Sequence, residues 1–114
     1  MNHMGTMVFV NFPVADVQRS TAFYEKLGFK KNEEFSTEEA SSMMWDDQFW
    51  IMLLNHDFYG KFIQEKQIID AQTTSGALIS FSLESAEAVK QFGETAKANG
   101  GNCYRVDMGI PEEQ

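Results

Sequence analysis

The stretch Val10-Asn11-Phe12-Pro13-Val14-Ala15-Asp16 decides the reading of this chain. Val10, Phe12 and Val14 fall on one face of a strand, and Phe9 and Asn11 on the other. Pro13 has no N–H to give a neighbour, so it belongs near the strand's end or on an edge. Asp16 then fits a helix N-cap, where its carboxylate meets free backbone amides and the positive end of the helix dipole. Val17, Ser20, Tyr24 and Leu27 come next at helical spacing, flanked by Phe23. Gly28 suits the left-handed position that closes a helix, and Phe29 opens the next segment.

The same order recurs further along. Ile79, Phe81 and Leu83 alternate with Leu78, Ser80 and Ser82, and Ser85 caps a helix with Ala86, Val89, Phe92 and Ala96 on its buried stripe. That helix ends at Asn99-Gly100-Gly101. The two stretches share little residue identity, so the repeat is one of pattern. It predicts an α+β fold built from two paired modules.

Between them, Phe29–Phe35 reads as a polar, edge-like second strand and Ser36–Glu39 as a turn. Ala40–Trp45 and Phe49–Asn55 read as a hairpin closed by Asp46-Asp47-Gln48. Trp50, Met52, Leu54 and His56 fall on one face of its second arm, with Ile51, Leu53 and Asn55 on the other. Residues 7–56 form the first module and 57–75 a linker with a short helix over Phe58–Ile63. Residues 76–114 form the second module, with a strand over Asn102–Val106 and a loop tail. Residues 1–6 are unlike the rest of the chain and read as a cloning remnant, and His3 is not counted as functional.

The chain has 114 residues, 43% of them hydrophobic, and a formal net charge of -8. That is one domain of ordinary soluble composition. The acidity excludes nucleic acid and anionic membrane as partners, because both call for a basic face. The single cysteine, Cys103, leaves no internal disulfide and fits a cytoplasmic location. No apolar run is long enough to span a bilayer, and the start does not read as a signal peptide.

Val14-Ala15-Asp16, Arg19-Ser20, Phe23-Tyr24-Glu25 and Leu27-Gly28-Phe29 together resemble the opening motif of the vicinal oxygen chelate superfamily. That superfamily includes glyoxalase, bleomycin-resistance and extradiol-dioxygenase-like proteins. Ile51-Met52-Leu53-Leu54-Asn55-His56 resembles the fourth strand of a small bacterial subgroup. The resemblance implies paired βαβββ modules forming a curved mixed sheet with helices on its outer face. It also implies a cup-shaped site, often completed by a homodimer. Metal-dependent relatives hold a divalent ion in the cup with His and Glu side chains. By the same resemblance, three of those ligand positions fall on Phe9, Met52 and Leu78. None of the three offers the oxygen or imidazole donors that such an ion requires. The pattern would also continue through two further strands after Val106, so the second module reads as incomplete.

Several residues invite a chemical role beside an ordinary one. His56 is either a general base or ligand anchor at the end of the cup-facing row, or a strand-end histidine bonded to backbone. Asn11 either contacts a ligand or bonds across the sheet. Trp45, Phe49, Trp50 and Met52, with Met43 and Met44, form either core and dimer interface or a soft wall for a flat ligand. Tyr104 either reaches the cup with its hydroxyl or packs on the sheet. Cys103 reads as a small buried hydrophobe, and the adjacent Glu38 and Glu39 as a solvated turn.

The expectation is a small organic molecule bound without metal or cofactor in the cup of a homodimer. Phe9, Asn11, Trp50, Met52, Leu54, His56, Leu78 and Tyr104 would line it, with no catalytic residue assigned. The alternatives are a metal-dependent lyase or dioxygenase with ligands elsewhere, and an interaction module whose cup is filled by its own side chains.

Overall fold

The computed structural model describes residues 5–101. Four strands form one open sheet: β1 (Val8–Val14), β2 (Lys30–Lys31), β3 (Ala40–Met44) and β4 (Phe49–Asn55). Their spatial order is β1-β4-β3-β2. β1 runs parallel to β4, while β3 is antiparallel to both β4 and β2, so the sheet is mixed. Helix α1 (Val17–Lys26) connects β1 to β2 across one face. The expected βαβββ order of the first module is present. Helices α2 (His56–Ile63) and α3 (Ala86–Ala98) come after it.

The core lies between α1 and the sheet. Phe29, Met43, Ile51 and Leu53 are buried there, with Phe12, Val14, Tyr24, Leu27, Trp45, Phe49 and Phe92 packed around them. Register explains the selection: Phe12 pairs with Leu53, Ser41 with Leu53 and Met43 with Ile51, so these side chains share the α1 face. Thr21, which lies off the expected helical stripe, is the buried residue of α1. Its hydroxyl is spent internally, donating to the Val17 carbonyl at 2.7 Å.

The Leu27-Gly28-Phe29 motif has a specific structural job. The Gly28 amide donates to the Glu25 carbonyl and the Phe29 amide to the Tyr24 carbonyl, each at 3.1 Å. This double closure requires a left-handed residue between the two bonds, and Gly28 sits at φ +107°. The Tyr24 and Phe29 rings meet edge to face, 5.4 Å between centroids, supplying the apolar contact that accompanies such an ending. α3 closes in the same way: Gly100 donates to Lys97 and Gly101 to Ala96. N-caps match too, Asp16 accepting from the Arg19 amide and Ser85 from the Ala88 amide, both at 3.0 Å. The pattern repeat is therefore a repeat of helix-start and helix-stop chemistry.

Three expectations about elements are corrected. The second strand stops at Lys31, because the Asn32 side chain accepts the Phe35 amide and starts a 3-10 turn over Glu33–Phe35. Residues 79–83 form no strand. The Phe81 ring instead packs against Phe49, Trp45 and Phe92, with centroids 5.1, 6.1 and 5.5 Å away, which ties α3 to the first module. The helix expected over Phe58–Ile63 begins earlier, at His56, because Asn55 caps it by accepting the Phe58 amide at 2.8 Å. The expected strand over 102–106 lies outside the described residues, as do Cys103 and Tyr104.

Candidate functional site: the sheet face opposite α1

Strand parity places Phe9, Asn11 and Pro13 of β1 beside Trp50, Met52 and Leu54 of β4. Those pair in turn with Met44, Ser42 and Ala40 of β3, and Lys30 of β2 pairs with Met44. All lie on the face away from α1. Phe9 and Met52, two of the positions where the resemblance calls for metal ligands, are thus on the expected face. Neither side chain is a donor for a hard or borderline cation. Among the described residues, no three His, Cys, Asp or Glu side chains gather into a metal-holding group. The described residues of this face do not fit a divalent ion.

Across one end of this face runs an aromatic row. Phe9 and Trp50 lie 5.4 Å apart with a 49° tilt. Phe35 approaches Trp50 from the other side, at 6.2 Å and 69°. Phe35 was not among the residues expected at the site, since it read as the end of a strand. The missed signal is Asn32, whose short amide caps a turn three residues long and carries Phe35 back over β3. A web of hydroxyls holds this turn down: Ser42 Oγ donates to the Phe35 carbonyl, Ser36 Oγ donates to the Asn32 carbonyl, and the Ser42 amide donates to Ser36 Oγ.

Burial divides the row. Trp50 is 6% exposed, and its indole N–H donates to the Asp47 carbonyl at 3.2 Å. Leu54 and Ala40 are also buried. Phe9 is 47% exposed, Asn11 is exposed and Met52 is half-buried. Along β1 and β4 the accessible surface is therefore Phe9, Asn11, Pro13 and Met52, backed by Trp50 and flanked by Phe35, with Met44 and the exposed Lys30 farther across the sheet.

β1 forms an edge of the sheet. Its Val8 amide donates to the Gln48 carbonyl at 2.7 Å, which turns the amides of residues 8, 10, 12 and 14 toward β4. Phe9, Asn11 and Pro13 therefore direct their backbone polar groups outward, and Pro13 occupies an outer position where it lacks nothing. Asn11 Nδ2 donates to the outward Phe9 carbonyl at 3.3 Å.

Two expected members of the site are elsewhere. His56 is an exposed first residue of α2 rather than the end of the β4 row, because the chain turns from strand to helix at Asn55. Leu78 is 83% exposed and lies outside any strand. It lines an open cleft of about 680 Å³ with Val8, Val10, Phe49 and Phe81, on the α1 side of the sheet. A second cleft of about 570 Å³ lies between Trp45, Leu27 and the α3 residue Phe92. No helix among the described residues is long and apolar enough to cross a membrane.

Residues 6–43 match the family model described as bleomycin resistance protein-like N-terminal. No curated protein matches the sequence significantly. Among solved structures, the chain is similar to a hypothetical protein from S. aureus at 24% identity and a TM-score of 0.65. That match covers 87% of this chain and 72% of the other. It is also similar to a glyoxalase/bleomycin resistance protein/dioxygenase family enzyme from Burkholderia phytofirmans PsJN, at 23% identity and a TM-score of 0.59. Here the coverage is 84% and 74%. Identities this low speak to architecture, and the architecture agrees with the segment match: the chain has the fold of the vicinal oxygen chelate superfamily, with a bleomycin resistance protein-like segment over residues 6–43.

Proposed function

We propose that this protein binds a planar, largely apolar organic molecule on the sheet face opposite α1, without a metal ion, as a homodimer. The observation that supports the reading most is the placement of Phe9 and Met52. They occupy positions where the resemblance calls for ion ligands, and they offer a ring face and a thioether instead. Such side chains attract flat organic rings through apolar burial, stacking and sulfur–aromatic contact. Trp50, fixed by its bond to Asp47, gives the exposed Phe9 ring a rigid backing.

A second copy is part of the reading because the site face is open. β1 is an uncharged edge strand, and Val8 and Phe9 are exposed along it, as is Met7 just before it. Two copies that each carry a charge of -8 meet most easily at an uncharged surface. A partner laid against this edge would turn a face into a cup.

Metal analysis and a thermal-shift screen on untagged protein test the reading, with sedimentation to report the assembly. The expected result is a dimer with substoichiometric metal, stabilised by flat aromatic compounds. A ligand at one hundred times its dissociation constant adds about 2.7 kcal/mol. Stoichiometric zinc, nickel, manganese or iron, or a monomer that no planar compound stabilises, would overturn it.

A further inference from the structure

The outer edge of β1 asks for hydrogen bonds in a particular pattern. Val8, Val10, Phe12 and Val14 turn their backbone groups to β4, so Phe9, Asn11 and Pro13 present theirs outward. Among the described residues no strand lies beyond that edge. Phe9 and Asn11 each offer an N–H and a carbonyl there, while Pro13 offers a carbonyl alone. One of these groups is already met from within: the Phe9 carbonyl accepts from Asn11 Nδ2 at 3.3 Å.

The same strand in a second copy supplies the matching edge. A two-fold axis through the sheet lays the two β1 strands antiparallel. Asn11 is the midpoint of the seven-residue β1, so full overlap sets Asn11 opposite the partner's Asn11 and Phe9 opposite the partner's Pro13. The two Asn11 residues then exchange N–H···O bonds in both directions. Each Phe9 N–H meets the carbonyl of the partner's Pro13. The proline has no N–H to return, and the carbonyl left without one is that of Phe9, which the Asn11 side chain already serves. Centring the axis on Val10 would shorten the overlap to residues 8–12 and move the proline away from the carbonyl that has its own donor. On the α1 face the Asn11-centred register sets Val8 against the partner's Val14 and Val10 against the partner's Phe12, all apolar. β1 carries no charged residue, so two copies at a net charge of -8 meet there without opposing like charges.

We infer that two copies join β1 to β1 in an antiparallel register centred on Asn11, so that two four-stranded sheets become one continuous sheet with both aromatic faces on the same side. The inference rests on the reading that this protein is a homodimer closed at this edge, and it adds the register. The partner's Pro13 then stands beside Phe9 and extends the wall of the binding face.

Isotope-filtered NOE spectroscopy on dimers mixed from labelled and unlabelled full-length copies tests it, together with amide exchange. The register expects an intermolecular contact between the Hα protons of Val10 and the partner's Phe12, a non-hydrogen-bonded pair with Cα atoms about 4.5 Å apart. It also expects slowed exchange of the Phe9 and Asn11 amides. Asn11→Pro removes both central donors without touching a bond to β4, and should weaken dimerisation about 25-fold or more, two net hydrogen bonds at about fivefold each. A contact between the two Val10 residues instead, or undiminished dimerisation of Asn11→Pro, overturns the register. Freely exchanging Phe9 and Asn11 amides in a dimer overturn the edge pairing and leave the homodimer standing. Slowed amides with contacts to residues 79–83 or 102–114 of the same copy give the edge to this chain's own second half and overturn the inference likewise. A monomer overturns the homodimer reading as well.

Discussion

The ring of Phe9 packs against that of Trp50 on the neighbouring strand, 5.4 Å between centroids, yet one is 47% exposed and the other 6%. The pair divides two tasks that a single buried aromatic would combine. Trp50 holds the sheet face together, tied by its N–H to the turn that joins β3 to β4. Phe9 offers its free surface to whatever lies above.

This division predicts opposite outcomes for two truncations. Trp50→Ala should lower unfolding free energy by about 3–5 kcal/mol, the range for large buried aromatics. Phe9→Ala should cost about 1 kcal/mol or less, because half its surface already faces solvent, and yet should abolish stabilisation by planar ligands. Urea melts with and without ligand measure both numbers.

Gly28→Ala should destabilise by about 1–2 kcal/mol, the cost of a left-handed alanine. Its φ is +107°, and the added Cβ would come within 3.3 Å of Trp45 Cζ3. A lower urea midpoint at unchanged slope would register this as a folded-state effect. Gly60→Ala is the matching control, since that position is helical and a Cβ there meets nothing within 4 Å.

Asp16→Ala should cost about 1 kcal/mol, within the usual 0.5–2 for a lost N-cap. The carboxylate accepts the Arg19 amide at 3.0 Å at the start of α1. Asp16→Ser should recover most of the loss, which a purely electrostatic role would not allow. Thermal melts of the two variants separate these.

Stability should fall at alkaline pH partly through Tyr24. Burial raises its hydroxyl above the ordinary value of 10.0, because the charged phenolate is poorly solvated in the core. The unfolded chain releases this proton near pH 10 while the folded chain still holds it. The contribution is thus complete below about pH 10 and is lost as pH climbs from there toward the folded value, at no more than about 1.4 kcal/mol per pH unit. Tyr24→Phe should flatten that part of the profile, as read from urea unfolding between about pH 9 and pH 11.

The first module was legible because its signals are local. Asp16, Gly28 and the alternations in β1 and β4 each act within a few residues, and together they dictate which side chains meet α1. Phe9, Asn11 and Met52 were placed by parity alone. The misreadings share a different cause, which is side-chain competition for backbone amides at element ends. Asn32 diverts the chain into a turn before β2 lengthens, and Asn55 starts α2 before His56 can extend β4. Both are short amides that a strand pattern does not reveal. The alternation over 79–83 reads as a strand, but Phe81 packs against Trp45 and Phe49 of the first module and Phe92 of α3, and the stretch has no β-partner among the described residues. Burial was legible only in part: parity put Trp50 and Leu54 on the site face, but not the 3-10 turn that helps cover it.

The most direct test of the binding face is a map of where a flat ligand lands. Titrating indole into ¹⁵N- and methyl-labelled protein should shift the Phe9 and Asn11 amides and the Met52 methyl together, with a common saturation curve. Shifts confined to Leu78–Phe81, Trp45 and Phe92, the linings of the clefts on the α1 side, would contradict the assignment.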